Sequence, residues 1–153
     1  MPKIVGAKRT PYNGVMYRSK TEANCAELLD KYNIGFKYES FHITLTPEFK
    51  YRNTTFKPWT YTPDFIVFDN IILEVKGFRN ADNYTNKRKV ILKHLIDTNS
   101  PFEFYEIYST AQLEKILKIY TDKDNTLSFK EILDNECYFG KKRKSKNKKK
   151  GKK

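Results

Sequence analysis

Three charged residues stand at the ends of two apolar runs in the segment YTPDFIVFDNIILEVKG, residues 61–77: Asp64 before the first run, Glu74 and Lys76 closing the second. A buried hairpin normally avoids such residues. Glu74 and Lys76 are two apart on one strand, so they share a face while Val75 points to the other. Asp64 joins that face only if the connection between the strands has an odd number of residues. A three-residue connection centred on Asn70, a residue that tolerates positive φ, meets the condition. It would set Asp64 opposite Lys76 and Ile66 opposite Glu74. A two-residue Asp69-Asn70 turn without a bulge would send Asp64 to the wrong side. Two carboxylates with a backbone carbonyl, that of Val75, are hard oxygen donors suited to Mg²⁺, which keeps waters and accepts phosphate oxygens. Such an ion acidifies a bound water and offsets charge in a phosphoryl transition state, while a nearby ammonium orients the water. Failing convergence, Asp64 caps a strand end and Glu74–Lys76 is an exposed ion pair worth less than about 1 kcal/mol.

The elements that must position these residues are legible in outline. Ala23, Cys25, Ala26, Leu28 and Leu29 predict a helix over 19–32, stopped by Asn33 to Gly35. FKYESFHITL, residues 36–45, reads as one long strand, and 46–60, with Pro47, Asn53 and Pro58, as a ragged hairpin or loop. Residues 83–99 read as a helix with Val90, Ile91 and Leu95 inward and Lys87, Lys89 and Lys93 outward. FEFYEIYS, residues 102–109, reads as a strand, and 110–120 as an amphipathic helix whose Ser109 and Gln112 suit a capping box. Ser128 and Glu131 repeat that box at a last short helix. The order α-β-β-β-α-β-α implies an α/β protein with a mixed sheet flanked by helices. DKDNTLSFKE, Asp122 to Glu131, echoes a calcium loop. It is too short and lacks the central Gly, so it reads as a loop into a capped helix.

Composition narrows the partners. The chain has 153 residues and a formal charge of +12. Residues 141–153, KKRKSKNKKKGKK, contain 10 Lys or Arg and no acid, which leaves 20 basic against 18 acidic residues in the body. The excess therefore describes a tail, expected to be disordered and suited to salt-dependent phosphate contact. Cys25 and Cys137 match no metal or redox spacing; Cys25 reads as a core residue of the first helix. The first 30 residues contain no apolar targeting region and no stretch is long enough for a membrane span, so a soluble intracellular protein is expected.

The pattern PDF…EVKG, on two strands after a helix–strand unit and before a Lys-rich helix, resembles the PD-(D/E)xK nuclease superfamily. More narrowly, YRSKTEANCAELLDKYNIGFKYES followed by TYTPDF and EVKG is similar to phage endonuclease I, a family of branched-DNA (Holliday-junction) resolvases. The resemblance covers about residues 17–78. FKYRNTTFKPWTYTPDF and TNKRKVILKHL also resemble a second group of small phage nucleases of that superfamily. The resemblance implies a restriction-endonuclease-like αβββαβ core. The chain then divides into an arm (1–17), a nuclease core (18–120), a helical extension (121–140) and the Lys-rich tail (141–153). It further implies a Mg²⁺-dependent endonuclease, with Mn²⁺ able to substitute, that cuts branched DNA as a homodimer in the cytoplasm of a phage host. Alternatives are a less selective nuclease acting on linear or nicked DNA, and an inactive DNA-binding module.

Carried over by position, Asp64 and Glu74 become metal ligands and Lys76 the catalytic lysine. The family's first-helix acid falls on Glu22. Ser19-Lys20-Thr21-Glu22 is also a capping box, with Glu22 at the position that reaches back to the Ser19 amide. The resemblance puts the metal-site role ahead of the cap. Glu39 is a reserve ligand. Arg18 and Lys20, beside Glu22, and Lys87, Arg88 and Lys89, at the start of the next helix, are the candidate DNA-backbone contacts. His42 and His94 lack any partner spacing for a His-based site. Trp59 and Tyr61 could stack on a base, although aromatics beside a strand usually belong to a core.

Overall fold

The computed structural model describes residues 8–76 and 82–139. The Lys-rich tail at 141–153 lies outside the described residues, as do Gly77 and the first seven positions. Where the sequence suggests an extended arm, residues 10–17 form a hairpin of β1 (Thr10–Tyr12) and β2 (Val15–Tyr17). Asn13 and Gly14 both have positive φ, 49° and 81°, as a two-residue turn matching the strand twist requires. The hairpin is fastened to the first helix, α1 (Lys20–Lys31), by the Tyr12 hydroxyl donating to Asp30 and by the buried ring of Tyr17.

Helix α1 starts where the sequence places it, with Ser19 Oγ accepting from the Glu22 amide at 3.1 Å. It ends in a Schellman motif. Asn33, at φ 59°, donates to Asp30, and the Ile34 amide donates to the Leu29 carbonyl. Its inner face buries Ala23, Cys25, Ala26, Leu28 and Leu29.

The single long strand expected over 36–45 is two strands, β3 (Phe36–Tyr38) and β4 (Ile43–Thr46). They are separated at Glu39, whose φ of 45° no continuing strand accepts. The ragged region resolves into β5 (Phe49–Tyr51), β6 (Thr54–Phe56) and β7 (Trp59–Tyr61). Among the described residues β5 and β6 pair only with each other, and β7 pairs with β4. Phe49 and Phe56 stack at 5.0 Å, and both are exposed.

The central sheet has the order β10-β9-β8-β3, with β8 (Phe65–Val67), β9 (Ile71–Val75) and β10 (Glu103–Ile107). β9 and β10 run parallel, linked through helix α2 (Asp82–Asp97); the other pairs are antiparallel. The sheet is therefore mixed, as the element order implies. Alternation sends Phe65, Val67, Ile71, Leu73, Val75, Tyr105 and Ile107 to one face. There they meet α1, α3 (Thr110–Thr121) and α4 (Phe129–Glu136). Ile66, Ile72 and Phe104 face the other way, against Ile91 and Leu95 of α2 and Tyr61 of β7. Each central strand is covered on both sides, which is why Ile72 and Leu73 are buried alike.

The caps on α3 and α4 differ from each other. Ser109 Oγ accepts from the Gln112 amide, but the Gln112 side chain reaches back to the amide of Tyr108, one residue further than a capping box requires. At α4 the box is complete: Ser128 Oγ accepts from Glu131 and the Glu131 carboxylate accepts from the Ser128 amide. Among the described residues no helix is long and apolar enough to cross a membrane. Helix α4 contributes Phe129, Ile132 and Leu133 to the core. Ser128→Ala should therefore lower stability by about 1 kcal/mol in chemical denaturation.

Candidate active site

The connection between β8 and β9 is the three residues Phe68, Asp69 and Asn70, so the odd count needed for convergence is present. Its centre is Asp69 rather than Asn70. The positive φ values fall on Phe68 (48°) and Asp69 (67°), and Asn70 instead donates its amide to the Phe68 carbonyl and its side chain to Pro101. With Phe65 opposite Leu73 and Ile66 opposite Ile72, the next step of the ladder puts Asp64 opposite Glu74, not opposite Lys76. The two carboxylates thus share the face that Ile66 and Ile72 occupy deeper in the sheet. Lys76 follows on that face, its amide donating to Ile107 on β10.

Both carboxylates are buried, each 8% exposed, and each is held by a donor. Asp64 Oδ2 accepts from the Val75 amide at 2.9 Å, and Glu74 Oε1 accepts from the Tyr61 hydroxyl at 2.5 Å. Glu22 enters from the first turn of α1, also buried. Its amide takes the Ser19 cap, but its carboxylate accepts from the Tyr38 hydroxyl instead of the Ser19 amide. Only half of the capping box forms, and the acid is directed inward. Carboxylate oxygens of Glu22, Glu39 and Asp64 lie within 4.8 Å of one another. The break at Glu39 lets its amide donate to the Asp64 carbonyl at 2.9 Å, while its carboxylate pairs with Arg18 at 2.8 Å. Arg18, Glu39, Asp64, Glu74, Lys76 and Lys87 help line a cavity of about 240 Å³.

Burial dominates the electrostatics. It holds the Asp64 carboxyl well above the usual carboxylate range, with the Glu74 and Glu22 charges adding to it and the Val75 amide and Lys76 opposing. Burial likewise pushes Glu74 up to about 7, against the Tyr61 hydroxyl and Lys76. Glu22 is raised by burial and the nearby Glu39, against the Tyr38 hydroxyl and Arg18. The converging oxygens of Glu22, Glu39 and Asp64, with Glu74 opposite Asp64 on the same face, are a hard-oxygen donor set that fits a divalent cation, and cation binding would favour the ionised forms.

The remaining sequence candidates divide. Lys20 and Lys89 are exposed and Lys87 is half-buried, its ammonium 5.9 Å from the Tyr61 ring. Arg88, read from sequence as a DNA contact, is turned inward: it pairs at 3.0 Å with Glu106, which is wholly buried on β10. Tyr61 belongs to the core and Trp59 is exposed. His42 bonds Thr62 at the surface. Sequence reasoning passed over Tyr38, Tyr84 and Glu106. The last had a readable signal, since an acid in the apolar run FEFYEIY is the same anomaly that marks Asp64 and Glu74.

A mixed-sheet α/β protein with a buried carboxylate cluster and a lysine at one end of its sheet is equipped for hydrolysis of phosphate esters. The phage endonuclease I family model matches residues 3–119, and the chain belongs to that family. It is therefore a phage-type nuclease whose substrate is DNA. No curated protein and no solved structure gives a significant match. Helix α4 lies beyond the matched residues.

Two outcomes follow from the buried charges. Glu74 holds its proton more tightly folded than unfolded, so its contribution is present below its ordinary 4.5 and is lost as pH rises through about 7. That loss is on the order of 3 kcal/mol. The metal-free protein should melt lower at pH 8 than at pH 5, Glu74→Gln should flatten the difference, and Mg²⁺ should raise the pH 8 midpoint. A metal-free midpoint that climbs with pH would contradict this. Arg88→Ala should destabilise by roughly 3–5 kcal/mol by leaving Glu106 unpaired. Unchanged denaturation with weakened DNA binding would return Arg88 to the DNA surface.

Proposed function

We propose that the chain is a Mg²⁺-dependent endonuclease of the PD-(D/E)xK type that hydrolyses phosphodiester bonds at branched DNA, acting as a homodimer. The observation that carries the reading is the register pairing Asp64 with Glu74 on the face that also carries Lys76, with Glu22 beside them. Asp64, Glu74, Glu22 and the Val75 carbonyl would hold the cation, with Glu39 in reserve. When bound, Mg²⁺ supplies an acidified water and offsets negative charge on the phosphate. Lys76 directs its ammonium toward the attacked phosphate, orienting the water and stabilising the charge that develops in the transition state. The Tyr61 and Tyr38 hydroxyls keep Glu74 and Glu22 fixed in orientation, so the donor set is prearranged. Arg18, Lys20, Lys87 and Lys89 lie on elements flanking the cavity, where phosphates of the bound strand would run. Paired cuts across a junction require two sites, which two copies of one chain supply through a symmetric interface.

The deciding assay compares a four-way junction with a matched linear duplex, each with Mg²⁺ and with EDTA. Junction cutting that requires Mg²⁺ and exceeds duplex cutting is expected. No metal-dependent cleavage of either substrate defeats the nuclease mechanism, and equal cleavage defeats junction selectivity alone. Lys76→Ala, Glu74→Gln and Glu22→Gln should each lower the single-turnover rate by about a hundredfold or more while junction binding persists. Glu22→Gln should not lower the melting point, because the carboxylate does not complete the helix cap.

A further inference from the structure

The ammonium of Lys76 rests on the face of Tyr84, its Nζ 3.6 Å from the ring centroid. That is well inside the about 6 Å reach of a cation–π contact. Among the described residues the ammonium lies on the ring rather than in an ion pair with Asp64 or Glu74. The ring is itself fixed at both ends. Tyr84 belongs to the first turn of α2, and its hydroxyl donates to Glu106. Glu106 stands beside Glu74 in the parallel ladder and is 0% exposed. It also accepts from the Tyr108 hydroxyl and from Arg88 Nη1 at 3.0 Å. A carboxylate with three donors, one of them a guanidinium, has little freedom to turn. Burial and the Glu106 bond push the Tyr84 phenol up, so it remains a donor.

A lysine carries a point charge on a flexible stem. Beside two carboxylates, such a charge collapses onto them and is lost to any other task. We infer that Tyr84 is a positioning residue for the site lysine: its ring holds the Lys76 ammonium off the carboxylates, and Glu106, clamped by Arg88 and Tyr108, fixes the ring. The inference rests on the proposed role of Lys76. The orientation of the lysine is then set from β10 and α2, outside the carboxylate cluster. The aromatic face matters most, and the hydroxyl matters through the ring's orientation.

The test uses full-length protein with Tyr84→Leu, Tyr84→Phe and Lys76→Met. Single-turnover junction cleavage in Mg²⁺ is measured beside junction binding in EDTA. Tyr84→Leu should cut about a hundredfold more slowly, the scale expected from a misplaced catalytic group, with unchanged binding. Tyr84→Phe, which keeps the ring, should recover most of that loss. In parallel, the Lys76 ε-methylene proton resonance should be displaced upfield by the ring in the wild type and in Tyr84→Phe, and should return toward its ordinary position in Tyr84→Leu. Wild-type cleavage by Tyr84→Leu, with Lys76→Met inactive, overturns the inference and leaves the nuclease mechanism standing. Wild-type cleavage by Lys76→Met overturns the role of the lysine itself, and the inference falls with it. Should Tyr84→Leu fail to fold, the resonance decides: no upfield displacement in wild type and Tyr84→Phe overturns the inference.

Discussion

Carboxylates crowded into one end of a sheet repel one another in a medium that screens charge poorly, and the architecture around this site is what makes that crowding tolerable. Asp64, Glu74 and Glu22 are each short of solvent; the Glu74 and Glu22 charges raise the proton affinity of Asp64, and Glu22 raises that of Glu74. What holds them is a set of single donors from different elements: the Val75 amide on β9, the Tyr61 hydroxyl on β7 and the Tyr38 hydroxyl on β3. The positive charge around the cavity comes from Lys76, from Lys87 and from Arg18, the last already engaged by Glu39. The carboxylates therefore carry more negative charge than the site's own cations offset, a condition that stability alone would not favour.

Glu106 provides the contrast. It is the most buried of the four acids, yet it lies beside the site as a satisfied structural group, ion-paired to Arg88 and bonded to two tyrosines. Two neighbouring acids on adjacent strands, Glu74 and Glu106, thus have opposite characters because one received a guanidinium and the other faced a cavity. The difference also reassigns part of α2. Its basic residues do not form a uniform surface: Arg88 is committed inward, while Lys89 is open to solvent.

Much of this was legible in the sequence where local chemistry decides the outcome. Ser19, Ser109 and Ser128 start helices as their side chains dictate, and Asn33 closes α1. The shared face of Asp64 and Glu74 followed from strand alternation and turn parity. The turn centre did not, because Phe68 accepts a left-handed backbone conformation while its ring packs on Tyr120 and Phe129, residues more than fifty positions away. The break at Glu39 was equally hidden, since it is imposed by a bond to the Asp64 carbonyl. Glu22 looked like half of a capping box because local spacing cannot reveal a tyrosine waiting on another strand.

The three-residue connection at 68–70 has a genetic consequence. Losing one codon there would shorten a turn and leave the pairing of the two strands free to persist. Losing one codon within 65–67 or 71–73 would be a different event. Every acid and the lysine would still be encoded, and a motif search would still report an intact enzyme. Yet the alternation beyond the deletion would invert, sending one carboxylate to the side occupied by α1 and α3. In this protein the reading frame of side chains along a strand is as much a part of the active site as the residues themselves.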